Sequence, residues 1–387
     1  MEFNMTDQNK KCVPELRFSE FKSNWKYKRL QELCSTLKSG VGITSANISE
    51  EGIYPVFGGN GLRGYTDDYT HDGEYFLIGR QGALCGNINR ASGKTFISEH
   101  AIAVQANSTS NTEFLAQKLD FFNLNKLSES SAQPGLSVQK ISRFKLCIPD
   151  IIEQTKIANF LSSVDKKIEL TEKQLENWQA YKKGIMQQIF SQKIRFKNDN
   201  GEDFPKWEEK EIGQVMTNKC AKFHAGKENI KFPIVELENI EPEVGQLTGS
   251  ISTGIIKSTK NIFKKNQILF GKLRPYLRKF WFASFDGICS SEIWVLSSKH
   301  SNVQNEFLYF VIQNESFITT CNKTSGTKMP RADWSQLENL IVLIPSMVEQ
   351  TKIANFLSSI DKKIENIESQ LIQLKQFKKG LLQRMFV

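Results

Sequence analysis

One stretch of this chain occurs twice. The eleven residues from Glu153 to Ser163 return unchanged from Glu349 to Ser359, 196 residues later, and 24 of the 38 positions in 153–190 match 349–386. In the first copy Ile157, Leu161, Val164, Ile168, Thr171, Leu175 and Trp178 alternate steps of four and three. Ile353, Leu357, Ile360, Ile364, Ile367, Leu371 and Leu374 do the same in the second. Lys, Glu and Gln occupy the other faces, so each copy reads as a long helix whose a/d seam needs a partner. At 1.5 Å per residue it is a rod of roughly 57 Å. Two ordinary core helices would share that period. The near-identity of exposed positions points instead to a duplicated device, a spacer. The helix-pairing residues are taken as Ile157, Leu161, Val164, Ile168 and Leu175 against Ile353, Leu357, Ile360, Ile364 and Leu371.

The repeat extends past the helices. Arg17-Phe18 with Trp25 and Leu30 parallels Arg195-Phe196 with Trp207 and Ile212, and Gly79-Arg80 parallels Gly271-Lys272. Ser98-Glu99 is matched to Ser291-Glu292, each in a strand-like run, and each half closes on an apolar strand ending in Pro149 or Pro345. The division that follows is a polar tail (1–15), a globular segment (16–150), a helix (151–193), a second globular segment (194–346) and a second helix (347–387). The globular segments read as mixed α+β. Strands are expected at 54–57, 75–78, 96–104, 234–237, 267–270, 279–285 and 292–296, and helices at 113–124 and 305–313. Ser137 and Asp333 stand at N-cap positions before the closing strands. The polar stretch 196–206, with Gly201 and Pro205, reads as a linker. A tandem duplication folding about an approximate two-fold axis sets the long helices antiparallel. Lys182-Lys183-Gly184 and Lys378-Lys379-Gly380 either end the helices or, if they continue, mark close crossings.

Composition narrows the function classes. A chain of 387 residues exceeds one typical core, so two domains or more are expected. The 51 basic against 42 acidic residues leave +9, which suits a polyanionic partner. Seven scattered cysteines (Cys12, Cys34, Cys85, Cys147, Cys220, Cys289, Cys321) without a C-x-x-C argue for reduced cytosolic thiols rather than disulfides or zinc. The polar residues 1–11 are no signal peptide, and no apolar run is long enough to span a membrane. A cytoplasmic location is expected.

The catalytic motifs fail one by one. Gly59-Asn60-Gly61 with Gly64 satisfies G-x-G-x-x-G, but the following Tyr65–Gly73 region is no helix, so a glycine-rich recognition loop with Asn60 and Arg63 is expected. Ser137/Lys140 and Ser163/Lys166 fit S-x-x-K without its companion motifs. His71, His100, His224 and His300 lack ligand spacing. No methyltransferase tetrapeptide, nuclease core or Walker loop occurs, so catalysis by this chain alone is unsupported.

The basic clusters say more. Residues 251–285 hold no acid but carry Lys257, Lys260, Lys264, Lys265, Lys272, Arg274, Arg278 and Lys279, with Tyr276, Phe280 and Trp281 interleaved. The corresponding loop of the first half offers Arg80, Gln81, Asn87, Asn89 and Arg90. Arg, Gln and Asn are base-edge readers in type, and Lys contacts phosphate. These residues, with Asn60 and Arg63, are the expected DNA contacts.

At this point the chain resembles, over essentially its full length, the specificity subunits of type I restriction-modification enzymes. The resemblance rests on Leu16-Arg17-Phe18 with Trp25, on 54–61 with Gly79-Arg80, on 268–275, and on the repeated Pro…Glu-Gln-x-x-Ile-Ala-x-Phe-Leu pattern of both helices. It implies two similar target-recognition domains, each reading half of a split, asymmetric site in double-stranded DNA, joined by two antiparallel helices that act as a ruler. It also implies two methyltransferase subunits bringing S-adenosylmethionine, and translocating nuclease subunits bringing ATP and Mg²⁺, with no cofactor on this chain. A coiled-coil adaptor without DNA specificity is the alternative. A self-contained nuclease or methyltransferase is a third reading, opposed by the missing motifs.

Overall fold

The computed structural model describes residues 12–128, 135–224, 233–249, 258–323 and 329–386. They form two compact units, Met1–Lys173 with Ser369–Val387, and Gln174–Glu368. Each unit holds one globular segment, the N-terminal part of one long helix and the C-terminal part of the other.

In the first unit the main sheet is antiparallel, ordered Cys34–Ser39, Ala101–Ala106, Tyr75–Gly79, Ile88–Ala91. Tyr75–Gly79 is apolar without interruption because both its faces are covered. Phe76 and Ile78 join the core with helix Thr112–Phe122 and the long helices, while Leu77 packs with Ala91, Ile97 and Ala103. A smaller sheet sets Tyr54–Gly58 antiparallel to Gly61–Thr66 and parallel to Phe96–Ile97. Lys26–Arg29 pairs with the closing strand Lys145–Ile148.

The second unit repeats this plan. Its main sheet runs Met216–Thr217, Ile293–Ser298, Ile268–Gly271, Phe280–Phe282; Ile234–Val235 lies parallel to Gly287–Cys289, and Glu208–Glu211 pairs with Ile341–Ile344. The units differ in the small sheet. The first adds the Gly61–Thr66 hairpin strand, whereas the second adds Lys260–Phe263 and Lys222–Phe223 on the other side.

The opening motifs hold their helices in the same way. Arg17 donates twice to the buried Glu153 carboxylate, at 2.7 Å each, and Arg195 does so to Glu349 at 3.1 and 2.8 Å. Phe18 packs edge-on against Phe160, and Phe196 against Phe356. Trp25 and Trp207 are both buried.

Three expectations need correction. The strand expected over 96–104 is broken into Phe96–Ile97 and Ala101–Ala106, in different sheets, by a turn closed from Ala101 N–H to Ser98 O. The second unit closes the same turn from Ile293 N–H to Ser290 O. Ser98 therefore corresponds to Ser290, not Ser291, and the Ser-Glu match was one residue out of register. The glycine-rich stretch is likewise a β-hairpin, with Gly58 paired to Gly61 around Gly59-Asn60. Gly61 at φ +102° supplies the positive angle that a tight turn demands.

The long helices span Ile151–Phe190 and Met347–Met385 and continue through Gly184 and Gly380. A Cβ at either glycine would meet nothing within 4 Å, so neither marks a crossing among the described residues. Antiparallel pairing is seen in each unit. Asp165 meets Lys378 at 2.5 Å and Glu172 meets Lys375 at 2.7 Å in the first. Lys182 meets Asp361 at 2.7 Å in the second, the counterpart of Asp165–Lys378 after the 196-residue shift. The seam is shared more widely than a two-helix reading implies. Ile157, Leu161 and Val164 are buried in one core with Leu381, Met385, Phe386 and the first globular segment. Ile353, Leu357, Ile360 and Ile364 share theirs with Met186, Ile189 and the second. Ile168, Leu175 and Leu371 are only half-buried.

Cys12 and Cys147, read from sequence as separate thiols, lie side by side with Cα atoms 6.2 Å apart, within disulfide range. No helix among the described residues is long and apolar enough to cross a membrane.

Candidate nucleic-acid interface

In the first unit three backbone segments converge. Gly59 crosses Gly79 so closely that a Cβ on it would lie 2.7 Å from His100 O and 3.1 Å from Gly79 Cα. Asn89 Nδ2 donates to Gly59 O (3.0 Å), and Arg80 N–H donates to His100 O (3.0 Å). Arg80 Nη1 donates to Glu99 O (3.1 Å), and Gln81 Oε1 lies 3.3 Å from His100 Nδ1. Asn60, Arg63, Arg80, Gln81 and Asn89 are thus gathered around this crossing, with Asn87 exposed beside it. Arg90 goes elsewhere. Its guanidinium makes two bonds, of 3.1 and 2.9 Å, to Glu113 on helix Thr112–Phe122. Burial opposes its charge, but Glu113 outweighs it and holds the pKa above the ordinary value.

In the second unit the acid-free run folds against an acidic one. Lys260 pairs with Glu236, and Arg278 with Glu315 and, at 3.7 Å, with Glu243. Lys279 Nζ donates to Leu237 O (2.9 Å); burial lowers its pKa, against the pull of Glu238 and Glu241. Lys264 pairs with Asp286. Lys257 lies outside the described residues. What remains displayed is Lys265, Lys272, Arg274 and Tyr276, all exposed except the half-buried Lys272. Arg274 and Arg278 flank the turn Pro275–Leu277 with left-handed angles, φ +53° and +49°. Non-glycine residues seldom adopt such angles, and where they persist the surroundings enforce them. Arg274 N–H donates to Pro330 O at 2.8 Å.

The framing is common to both units. Lys272 N–H donates to Glu292 O (2.9 Å) as Arg80 N–H does to His100 O, and Ala332 N–H donates to Lys272 O as Leu136 N–H does to Arg80 O. Glu292 in turn accepts from Arg331 Nε at 3.0 Å. Glu99, His100, Glu292 and Arg331 were missed by sequence reasoning. Only the shared turn serine, correctly aligned, points to them.

The sequence profile described as "Type I restriction modification DNA specificity domain" matches the chain twice, over 22–177 and 205–376. The specificity subunit of the type I restriction enzyme EcoprrI of Escherichia coli is 43% identical over 154 residues, 39% of this chain and 38% of that protein. That of EcoDI, also from Escherichia coli, is 25% identical over 381 residues, 90% of this chain and 84% of that one. Among solved structures, the S subunit of a type I restriction-modification system from M. genitalium shares the fold with a TM-score of 0.69 at 17% identity, covering 97% of this chain and 99% of that one. The chain belongs to the type I restriction-modification DNA specificity family, as a subunit with two recognition domains on two long antiparallel helices.

Proposed function

We propose that each globular segment reads one half of a split, asymmetric site in double-stranded DNA, and that the long helices set the spacing and dock two methyltransferase subunits. The observation that carries the reading is the pairing of a common frame with unlike displays. The same backbone hydrogen bonds hold Arg80-Gln81 in one unit and Lys272, with Arg274 close by, in the other. Arg and Gln suit base edges, and Lys suits phosphate. Unlike readers on like frames fit an asymmetric site.

Docking is supported by the outer face of the helices. Asn159, Ser163, Lys166, Lys167 and Lys183 are exposed and recur as exposed Asn355, Ser359, Lys362, Lys363 and Lys379. Folding does not require identity at solvent-facing positions, whereas binding the same partner twice does. Tyr181 and its counterpart Phe377 are about half exposed, and Tyr181 lines a depression with Trp178, Phe356 and Lys363. S-adenosylmethionine would come with the methyltransferase subunits, and ATP and Mg²⁺ with translocating nuclease subunits.

The test is co-expression with the methyltransferase subunits in a host without other adenine methylation, followed by sequencing of methylated adenines. A split motif with unlike halves is expected. A chain that retains neither DNA nor methyltransferase returns the reading to a coiled-coil adaptor.

A further inference from the structure

We infer that the residue at the start of the strand facing each recognition loop, His100 in the first unit and Glu292 in the second, is a specificity-determining residue, and that Glu292 reads the exocyclic amine of cytosine or adenine. The inference rests on the proposed DNA-reading role. It comes from comparing the units residue by residue. Ser98 and Ser290 close the same turn, and Ala101 and Ile293 pair with Gly79 and Gly271. Between these fixed points the carbonyls of His100 and Glu292 accept the same bond, from Arg80 and Lys272. The backbone is constant while the side chain changes from imidazole to carboxylate.

Neither side chain belongs to an apolar core. His100 is exposed, and the Glu292 side chain retains 28% of its surface. An ionised carboxylate accepts hydrogen bonds only and is repelled by phosphate, so its place beside Lys272 and Arg274 makes sense against a donor. In the major groove the donors are cytosine N4 and adenine N6. Arg331, bonded through Nε to one carboxylate oxygen, holds the group in orientation. In the first unit Gln81, 3.3 Å from Nδ1, and Glu99, 3.3 Å from Nε2, hold the His100 ring.

The test uses the full chain assembled with its methyltransferase subunits and duplexes substituted one base pair at a time. Glu292→Gln keeps the shape but adds a donor. It should reduce discrimination roughly ten- to a hundred-fold at a single base pair of one half-site, leaving the other half unchanged and non-specific affinity no weaker, since a charge repelled by phosphate is removed. A C·G pair relaxing identifies cytosine, and an A·T pair identifies adenine. His100→Ala should relax one position in the opposite half. Melting temperature checks folding. If the Glu292 variant does not fold, Arg331→Gln, which frees the carboxylate without altering it, carries the same measurement. Folded variants with full discrimination at every pair, or with a uniform loss on all sequences, overturn the inference. A wild-type assembly with no sequence preference overturns the function reading instead.

Discussion

Arg274 holds a backbone angle that costs an L-residue roughly 1–2 kcal/mol, and its side chain is left exposed. Such strain is tolerated where the side chain is needed. Arg274→Gly should therefore raise chain stability by about 0.5–1 kcal/mol, seen as a higher denaturant midpoint. It should also cost about 1–3 kcal/mol on the cognate site alone. A variant neither more stable nor less selective would remove Arg274 from the interface. Lys260 is the contrast. Paired with Glu236, it should alter the salt dependence of DNA binding by much less than the one counterion expected of a phosphate contact. Lys118, buried against the rings of Trp25 and Phe386, has its pKa pushed down to about 7 by burial. The unfolded chain keeps that proton up to about 10.4. Between these values the unfolded state binds more protons, so stability rises with pH and is lost as pH falls towards 7. Denaturant midpoints across that window should climb in the wild type and flatten in Lys118→Met.

On the long helices Gly184 and Gly380 stand where alanine would be better by about 0.5–1 kcal/mol, with open space around them. Nothing among the described residues accounts for either glycine. Close approach of the methyltransferase subunits proposed above would account for both. Gly184→Ala is expected to raise the melting temperature while weakening capture of one of two methyltransferase subunits, and the double variant with Gly380→Ala should weaken both. Sedimentation of the mixtures decides it. Undiminished two-to-one assembly by the double variant would mean that the glycines lie outside the contact.

For the whole molecule, the consequence of duplication is exchangeability. A chain ending near Gln192 loses Leu381, Met385 and Phe386, which fill the first unit's core beside Phe114. Each such side chain is worth roughly 1.5–3 kcal/mol when buried. Ile185, Ile189 and Phe190 of a second copy occupy the equivalent positions, 196 residues earlier. The half-chain should therefore form an antiparallel homodimer by light scattering. With methyltransferase subunits it should mark a palindromic split site, because two-fold protein symmetry imposes two-fold symmetry on the DNA read. A soluble monomer, or a motif that stays asymmetric, counts against exchange of the helix ends.

What the sequence by itself determined is what depends on short-range spacing and on comparison of the chain with itself. The two helices, their antiparallel pairing, the matched openings at Arg17 and Arg195, and the matched positions of Arg80 and Lys272 were all legible there. A heptad period is written in neighbours three and four apart, and a repeat needs only alignment. The tertiary structure alone decided which cations remain available. Lys260, Arg278 and Arg90 are engaged by Glu236, Glu315 and Glu113, partners 24, 37 and 23 residues away that meet only once the sheets form. It also placed Ser98 opposite Ser290 in the repeat, because a turn's register is set by the strands it joins. Glu292 and His100 emerged from that register. Charge along a chain is additive, but which charges face solvent is settled by long-range pairing.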